Sequence, residues 1–155
     1  MNSTQLVDLL IENKMRICCA ESCTGGMLSS AIVDVPNASR VLDMGFVTYA
    51  NTAKMKLLNV DPKTIAQYGV VSEAVAGQMA MGAAKVSGAD VGVGVSGIAG
   101  PSGATLGKPV GTVCFGFWIK GMLHVTTQHF ENLDRMGVRT AAVNYAIDTL
   151  IDLLK

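Results

Sequence analysis

The stretch "RICCAESCTGGMLSSAIVDV", residues 16–35, decides the fold. "RICCA" is a short apolar run of the kind that forms a buried strand. "TGGMLSSAIVDV" then reads as a helix, with Thr24 placed to cap it and "PNAS" at 36–39 to stop it. A strand feeding a helix is the unit of open α/β sheets, which carry their ligand crevice at the strands' carboxyl ends. "AESCTGG", residues 20–26, falls at such an end. Ser22 would stand there, beside the amides of Thr24, Gly25 and Gly26 at a helix start. Those amides would offer unpaired N–H donors and the positive end of the helix dipole. Donors of this kind hold a phosphate or stabilise the oxyanion of acyl transfer. A plain helix cap, with glycines for tight packing, explains the same seven residues equally well. Alternation along the strand turns the Glu21 side chain away from that of Ser22.

Outward from this unit the pattern continues. "TQLVDLLIENK" spaces Leu6, Leu9 and Leu10 as one helical face. "VLDMGFVTYA" (41–50) alternates as a strand, with Gly45 marking a bulge or close approach. Asn51 can cap the helix "NTAKMKLLNV". "DPKTIAQYG" has Asp61 as cap, Pro62 at the first helical position and Gly69 as stop. Ser72 opens a helix that ends at Gly88. "ADVGVGVSGIAGPSGATLGKP" is a strand running into a glycine-rich loop. "VGTVCFGFWI" and "LHVTTQHF" alternate around a Lys120-Gly121 turn. "DRMGVRTAAVNYAIDTLIDLL" closes the chain as a helix. Early strands alternate with helices and a hairpin follows. This order predicts a three-layer α/β/α sandwich with a mixed β-sheet, one domain over residues 1–155.

Composition narrows the function. Half of the 155 residues are apolar, and 12 Lys and Arg balance 12 Asp and Glu. A zero net charge argues against a nucleic-acid or anionic-membrane partner. Near-neutrality and nine Met favour self-association, so a homo-oligomer is expected. The N-terminus lacks a basic region followed by a long apolar run, and no stretch is long enough to span a bilayer. The four cysteines, at 18, 19, 23 and 114, have no zinc spacing. They read as buried reduced thiols of a cytoplasmic protein.

A serine nucleophile needs a base. His124 and His129 lie in a late alternating strand with no nucleophile motif around them, which disfavours a Ser-His-Asp triad. A lysine made neutral by burial can serve instead. Lys54, after the "GFVTYA" strand, is the candidate, and Tyr49 lies at that strand's end. Both converge on Ser22 if the first two strands are neighbours; a solvated lysine and a half-buried tyrosine remain the alternative. The loop "SGIAGPSGATLGKPVGTV" adds glycines at 97, 100, 103 and 107 and the hydroxyls of Ser96, Ser102 and Thr105. It suits a polar or phosphorylated ligand. Arg135 and Arg139, near the start of the last helix, are candidate anion partners, a solvated helix face being the favoured reading of Arg135.

"AESCTGG", "GFVTYANTAK", "GVVSEAVA" and "VSGIAGPSGATLGKPVGTV", taken together and in this order, resemble the signature blocks of the CinA C-terminal domain family. The likeness covers residues 5 to 152 and is to the family's stand-alone form. It implies hydrolysis of the carboxamide of nicotinamide mononucleotide, with no metal or organic cofactor. By the same resemblance Ser22 is the nucleophile, with Lys54 and Tyr49 beside it. Thr24, Gly25, Gly26, Gly45, Thr48, Asn51, Ser96, Gly97, Gly100, Thr105 and Arg139 are then the oxyanion and substrate-binding candidates. The partner implied is a small-molecule nucleotide. The chain departs from the usual pattern at Asn37, Ala38, Met44, Ala104, Leu106, Gly107 and Leu133. A nucleotide-binding or competence-linked regulatory module without turnover is the alternative reading.

Overall fold

The computed structural model of the protein describes residues 2–155. Five strands form one mixed sheet in the order β2-β1-β3-β4-β5. β1 (Ile17–Glu21) lies between β2 (Phe46–Val47) and β3 (Val91–Gly97), parallel to both. β4 (Thr112–Ile119) and β5 (Met122–His129) extend the sheet antiparallel as a hairpin. Its turn is made by Lys120 and Gly121, both with positive φ, at 52° and 77°, as two-residue hairpins require.

Helices cover both faces, giving the α/β/α sandwich. On one side α1 (Ser3–Glu12), α2 (Met27–Val33) and α6 (Arg135–Leu154) pack a core of Leu6, Leu10, Ile32, Val93, Phe115 and Ile147. On the other lie α3 (Asn51–Leu58), α4 (Pro62–Tyr68) and α5 (Glu73–Ser87). The "GVGVG" alternation explains how α5 sits. Val91, Val93 and Val95 are buried in the first core, while the intervening positions meet α5 as bare backbone. A Cβ on Gly92 or Gly94 would collide with the carbonyl oxygen of Ala80 or Ala76, and one on Gly116 with that of Ala76. Glycine is therefore demanded here by close approach of helix to sheet. α4 and α5 start where the sequence places them, with Asp61 accepting from the Lys63 amide and Ser72 from the Val75 amide.

Three local expectations need correction. The strand expected over 41–50 is only Phe46–Val47; the chain bends at Asp43 before it, and Gly45 packs closely against α2. A Cβ there would stand 2.7 Å from Ser29 Oγ. Thr24 does not cap α2. The N-cap is Gly26, at φ 102°, and the Thr24 hydroxyl donates to Glu21 Oε1 instead. Asn51 is the first residue of α3 and makes no side-chain cap, the N-cap being Ala50. Among the described residues no helix is long and apolar enough to cross a membrane.

Candidate functional site

The parallel pairing of Glu21 with Val47 puts Ser22 and Thr48 side by side at the carboxyl ends of β1 and β2, and the Thr48 amide donates to the Glu21 carbonyl. α3 starts just beyond, so its Lys54 comes back under these ends. Lys54 is 1% exposed. Its Nζ donates to Ser22 Oγ at 3.0 Å, to the Thr48 carbonyl at 2.7 Å and to the Tyr49 carbonyl at 3.1 Å. Among the described residues no carboxylate touches it, and burial drives its pKa down from 10.5 to about 8, against an opposing pull from Cys23. A neutral amine has two N–H donors and one lone pair. The two carbonyls accept the donors, and the lone pair is left for Ser22.

The Ser22 turn is held from two sides. Glu21, fully buried, accepts from Thr24 Oγ1 (2.7 Å), from the amides of Leu28 (2.8 Å) and Ser29 (3.0 Å), and from Ser29 Oγ (2.8 Å). It faces α2, away from Lys54, as alternation requires. From α6, Arg139 Nε donates to the Cys23 carbonyl at 2.9 Å and Nη2 to that of Thr24 at 3.2 Å. A Glu21→Gln variant puts an amide N–H₂ where donors already converge. It is expected to cost about 2 kcal/mol, or about 4–8 °C of Tm, in thermal unfolding. An unchanged Tm would mean the carboxylate is not what fixes the turn.

A cavity of about 310 Å³ opens over this pair. Of the expected residues it is lined by Ser22, Tyr49, Asn51, Lys54, Ser96, Gly97 and Gly100. Thr24, Gly25, Gly26, Gly45, Thr48, Thr105 and Arg139 are not among its walls. The Gly25 amide already donates to the Ser22 carbonyl at 3.1 Å. Thr105 is exposed and pairs with Lys108 in a small antiparallel bridge. Tyr49 is also placed differently from a residue that would assist Lys54. The residue is 63% exposed, and its hydroxyl accepts from Arg135 Nη2 at 3.3 Å. Only its backbone carbonyl meets Lys54.

Sequence reasoning overlooked Cys23, Val70 and Val71 as walls of the cavity, and it favoured a solvated helix face for Arg135, which also lines it. Arg135 Nη1 donates to the Gly100 carbonyl at 2.8 Å. The signal for it was weak, because Arg135 and Arg139 lie four apart on one helix face. All four cysteines are buried and free. Burial pushes the Cys23 thiol up to about 11, so beside Ser22 it is a neutral wall. Among the described residues no cluster of three His, Cys, Asp or Glu could hold a metal ion.

Fold and cavity together define a class: an α/β/α domain with a buried lysine–serine pair at the carboxyl ends of parallel strands. The chain belongs to the CinA C-terminal domain family, whose model matches residues 2–154. It is 49% identical over 136 residues to the nicotinamide-nucleotide amidohydrolase PncC of Enterobacter agglomerans, covering 87% of this chain and 82% of that protein. It is 55% identical over 111 residues to a CinA-like protein of Chlorobaculum tepidum, covering 72% of this chain but only 26% of that longer protein. Crystal structures of CinA superfamily proteins superpose closely. The one from Enterobacter cloacae has TM-score 0.95 and 36% identity, covering 99% of this chain and 90% of that one. The one from Escherichia coli has TM-score 0.92 and 38% identity, covering 97% and 89%.

Proposed function

We propose that this chain is a serine–lysine amidohydrolase that converts nicotinamide mononucleotide to nicotinic acid mononucleotide and ammonia. The observation that carries the reading is the 3.0 Å contact between Ser22 Oγ and a buried Lys54 with no carboxylate beside it. The substrate comes from the name of the Enterobacter agglomerans relative. In the first half-reaction neutral Lys54 takes the Ser22 proton as Oγ bonds to the carboxamide carbon. The tetrahedral oxyanion collapses, the C–N bond breaks, and Lys54 returns the proton to the leaving ammonia. Water then attacks the ester, giving a proton to Lys54, and Ser22 leaves with that proton. The net change is one water consumed and one carboxylate formed, the acid proton passing to the released ammonia as ammonium, without a metal or organic cofactor.

The oxyanion site is revised from the 24–26 turn. Among the described residues several cavity-lining amides have no hydrogen-bond acceptor, those of Cys23, Ala99 and Gly100 being three of them. They are the candidates for receiving the developing charge. The balanced net charge goes with a small-molecule partner and against nucleic acid or membrane. A cytoplasmic setting and self-association belong to the same reading.

Purified protein, after metal chelation, is expected to release one ammonia per nicotinamide mononucleotide consumed. Nucleotide binding with no ammonia would leave a regulatory binding module in place of an enzyme.

A further inference from the structure

Among the described residues the cavity wall carries two basic side chains, Lys54 and Arg135, and no carboxylate. They are not equivalent. Lys54 lies inside with all three Nζ positions engaged. Arg135 stands exposed at the mouth, and both of its acceptors among the described residues are neutral: the Gly100 carbonyl at 2.8 Å and the Tyr49 hydroxyl at a long 3.3 Å. Among the described residues the one ion pair is Arg16 with Asp43, so Arg135 has no anionic partner. Its chain neighbour Asp134 is turned to the Gly137 amide as the cap of α6. The other nearby cations are committed elsewhere. Arg139 holds the carbonyls of Cys23 and Thr24, and Lys108 donates to the Tyr68 carbonyl.

We infer that Arg135 is a phosphate anchor held in reserve: its bonds to Gly100 and Tyr49 clasp the mouth until the phosphate of a mononucleotide takes the guanidinium. This rests on the mononucleotide reading above and deepens it. The physical reason is exchange of weak partners for a strong one. Bonds from a guanidinium to a phosphate are charge-assisted, about twice as strong as neutral ones, and fork across two oxygens. The Tyr49 bond is the longer of the two and is the one to break first. Ser102 and Gly103 line the same mouth and can add hydroxyl and amide donors. The ligand so selected is a phosphomonoester, which carries two negative charges, over the uncharged-tail nucleoside.

The clasp makes an unusual demand. Removing the Tyr49 hydroxyl should strengthen phosphate binding, because it leaves Arg135 with one competitor fewer. The test is calorimetric binding in a Ser22→Ala background, with nicotinamide mononucleotide, nicotinamide riboside and inorganic phosphate as probes. Arg135→Ala is expected to weaken the mononucleotide about 10- to 100-fold, to abolish phosphate binding, and to leave the riboside unchanged. Arg135→Lys should recover only part, since a point charge replaces a fork. Tyr49→Phe should bind the mononucleotide and phosphate about two- to threefold tighter. Equal losses for mononucleotide and riboside, or no loss, would overturn the anchor. So would an Arg135-intact protein that binds neither phosphate nor mononucleotide. Weaker phosphate binding in Tyr49→Phe would overturn the clasp. The amidase reading fails separately: Arg135-dependent phosphate binding with no ammonia from the unaltered enzyme leaves the anchor standing without the reaction.

Discussion

Ser22→Ala is expected to lower ammonia release by about a thousandfold or more while leaving the fold in place. The size follows from the mechanism, since without Oγ no acyl-enzyme forms and water alone must attack an amide. The fold survives because the side chain contributes one hydrogen bond, to Lys54. The backbone of Ser22 stays tied through its amide to the Val95 carbonyl at 3.0 Å. Tm within a few degrees of the unaltered protein is therefore expected. A chemical trap separates this from direct attack of water. With hydroxylamine present, the unaltered enzyme should divert the acyl group to a hydroxamate, and Ser22→Ala should give none. Turnover within a few-fold of the unaltered enzyme would remove Ser22 as the nucleophile.

The parts of this site that were legible in the sequence are those fixed by local chemistry. A strand-to-helix turn with a hydroxyl at its end was readable because apolar runs and glycines signal it within seven residues. Asp61 and Ser72 were readable as caps because a side-chain oxygen two or three residues before a free amide is a local geometry. Thr24 has the same local credentials and misleads. A positive φ at Gly26 moves the helix start past it, and the nearby Glu21 carboxylate is a better acceptor for its hydroxyl. What decides between Arg135 and Arg139 is not local at all. Residues four apart on a helix share a face, and only the docking of α6 settles which reaches the cavity and which reaches the Ser22 turn. The glycines of β3 were readable as unusual but not as packing surface, because the α5 backbone that excludes a Cβ is contributed from 12 to 18 residues earlier in the chain. Lys54 was the intermediate case. Its neighbourhood lacks a carboxylate in sequence, which is local, but its burial depends on β2 pairing with β1, which is not.

Changing Lys54 carries the second large effect, and it separates charge from basicity. Lys54→Arg is expected to lose about a thousandfold or more of turnover, because a guanidinium stays protonated at any working pH. Lys54→Met removes the base entirely and should lose as much. The unaltered enzyme should show turnover rising with pH through a limb centred near 8, the value to which burial lowers this lysine. At pH 7 about a tenth of the enzyme then carries the neutral amine, and at pH 9 about nine tenths. The same shift has a stability consequence. A lysine whose folded pKa is below its unfolded 10.5 is held charged at a cost below pH 8, and that cost is relieved as pH rises toward 10.5. In that window the unfolded chain binds more protons, so stability rises with pH. Lys54→Met, with no proton to lose, lacks this rise. The unaltered protein should therefore gain stability relative to the variant between about pH 8 and 10.5, on the order of 1–2 kcal/mol once screening from the open cavity is allowed for. Urea unfolding of both proteins at pH 7.5 and 10 reads the difference directly. A gap between the two proteins that stays constant over that range would show that Lys54 is not desolvated. A Lys54→Arg enzyme with most of its turnover would show that the residue only supplies charge, and the proton acceptor for Ser22 would lie elsewhere.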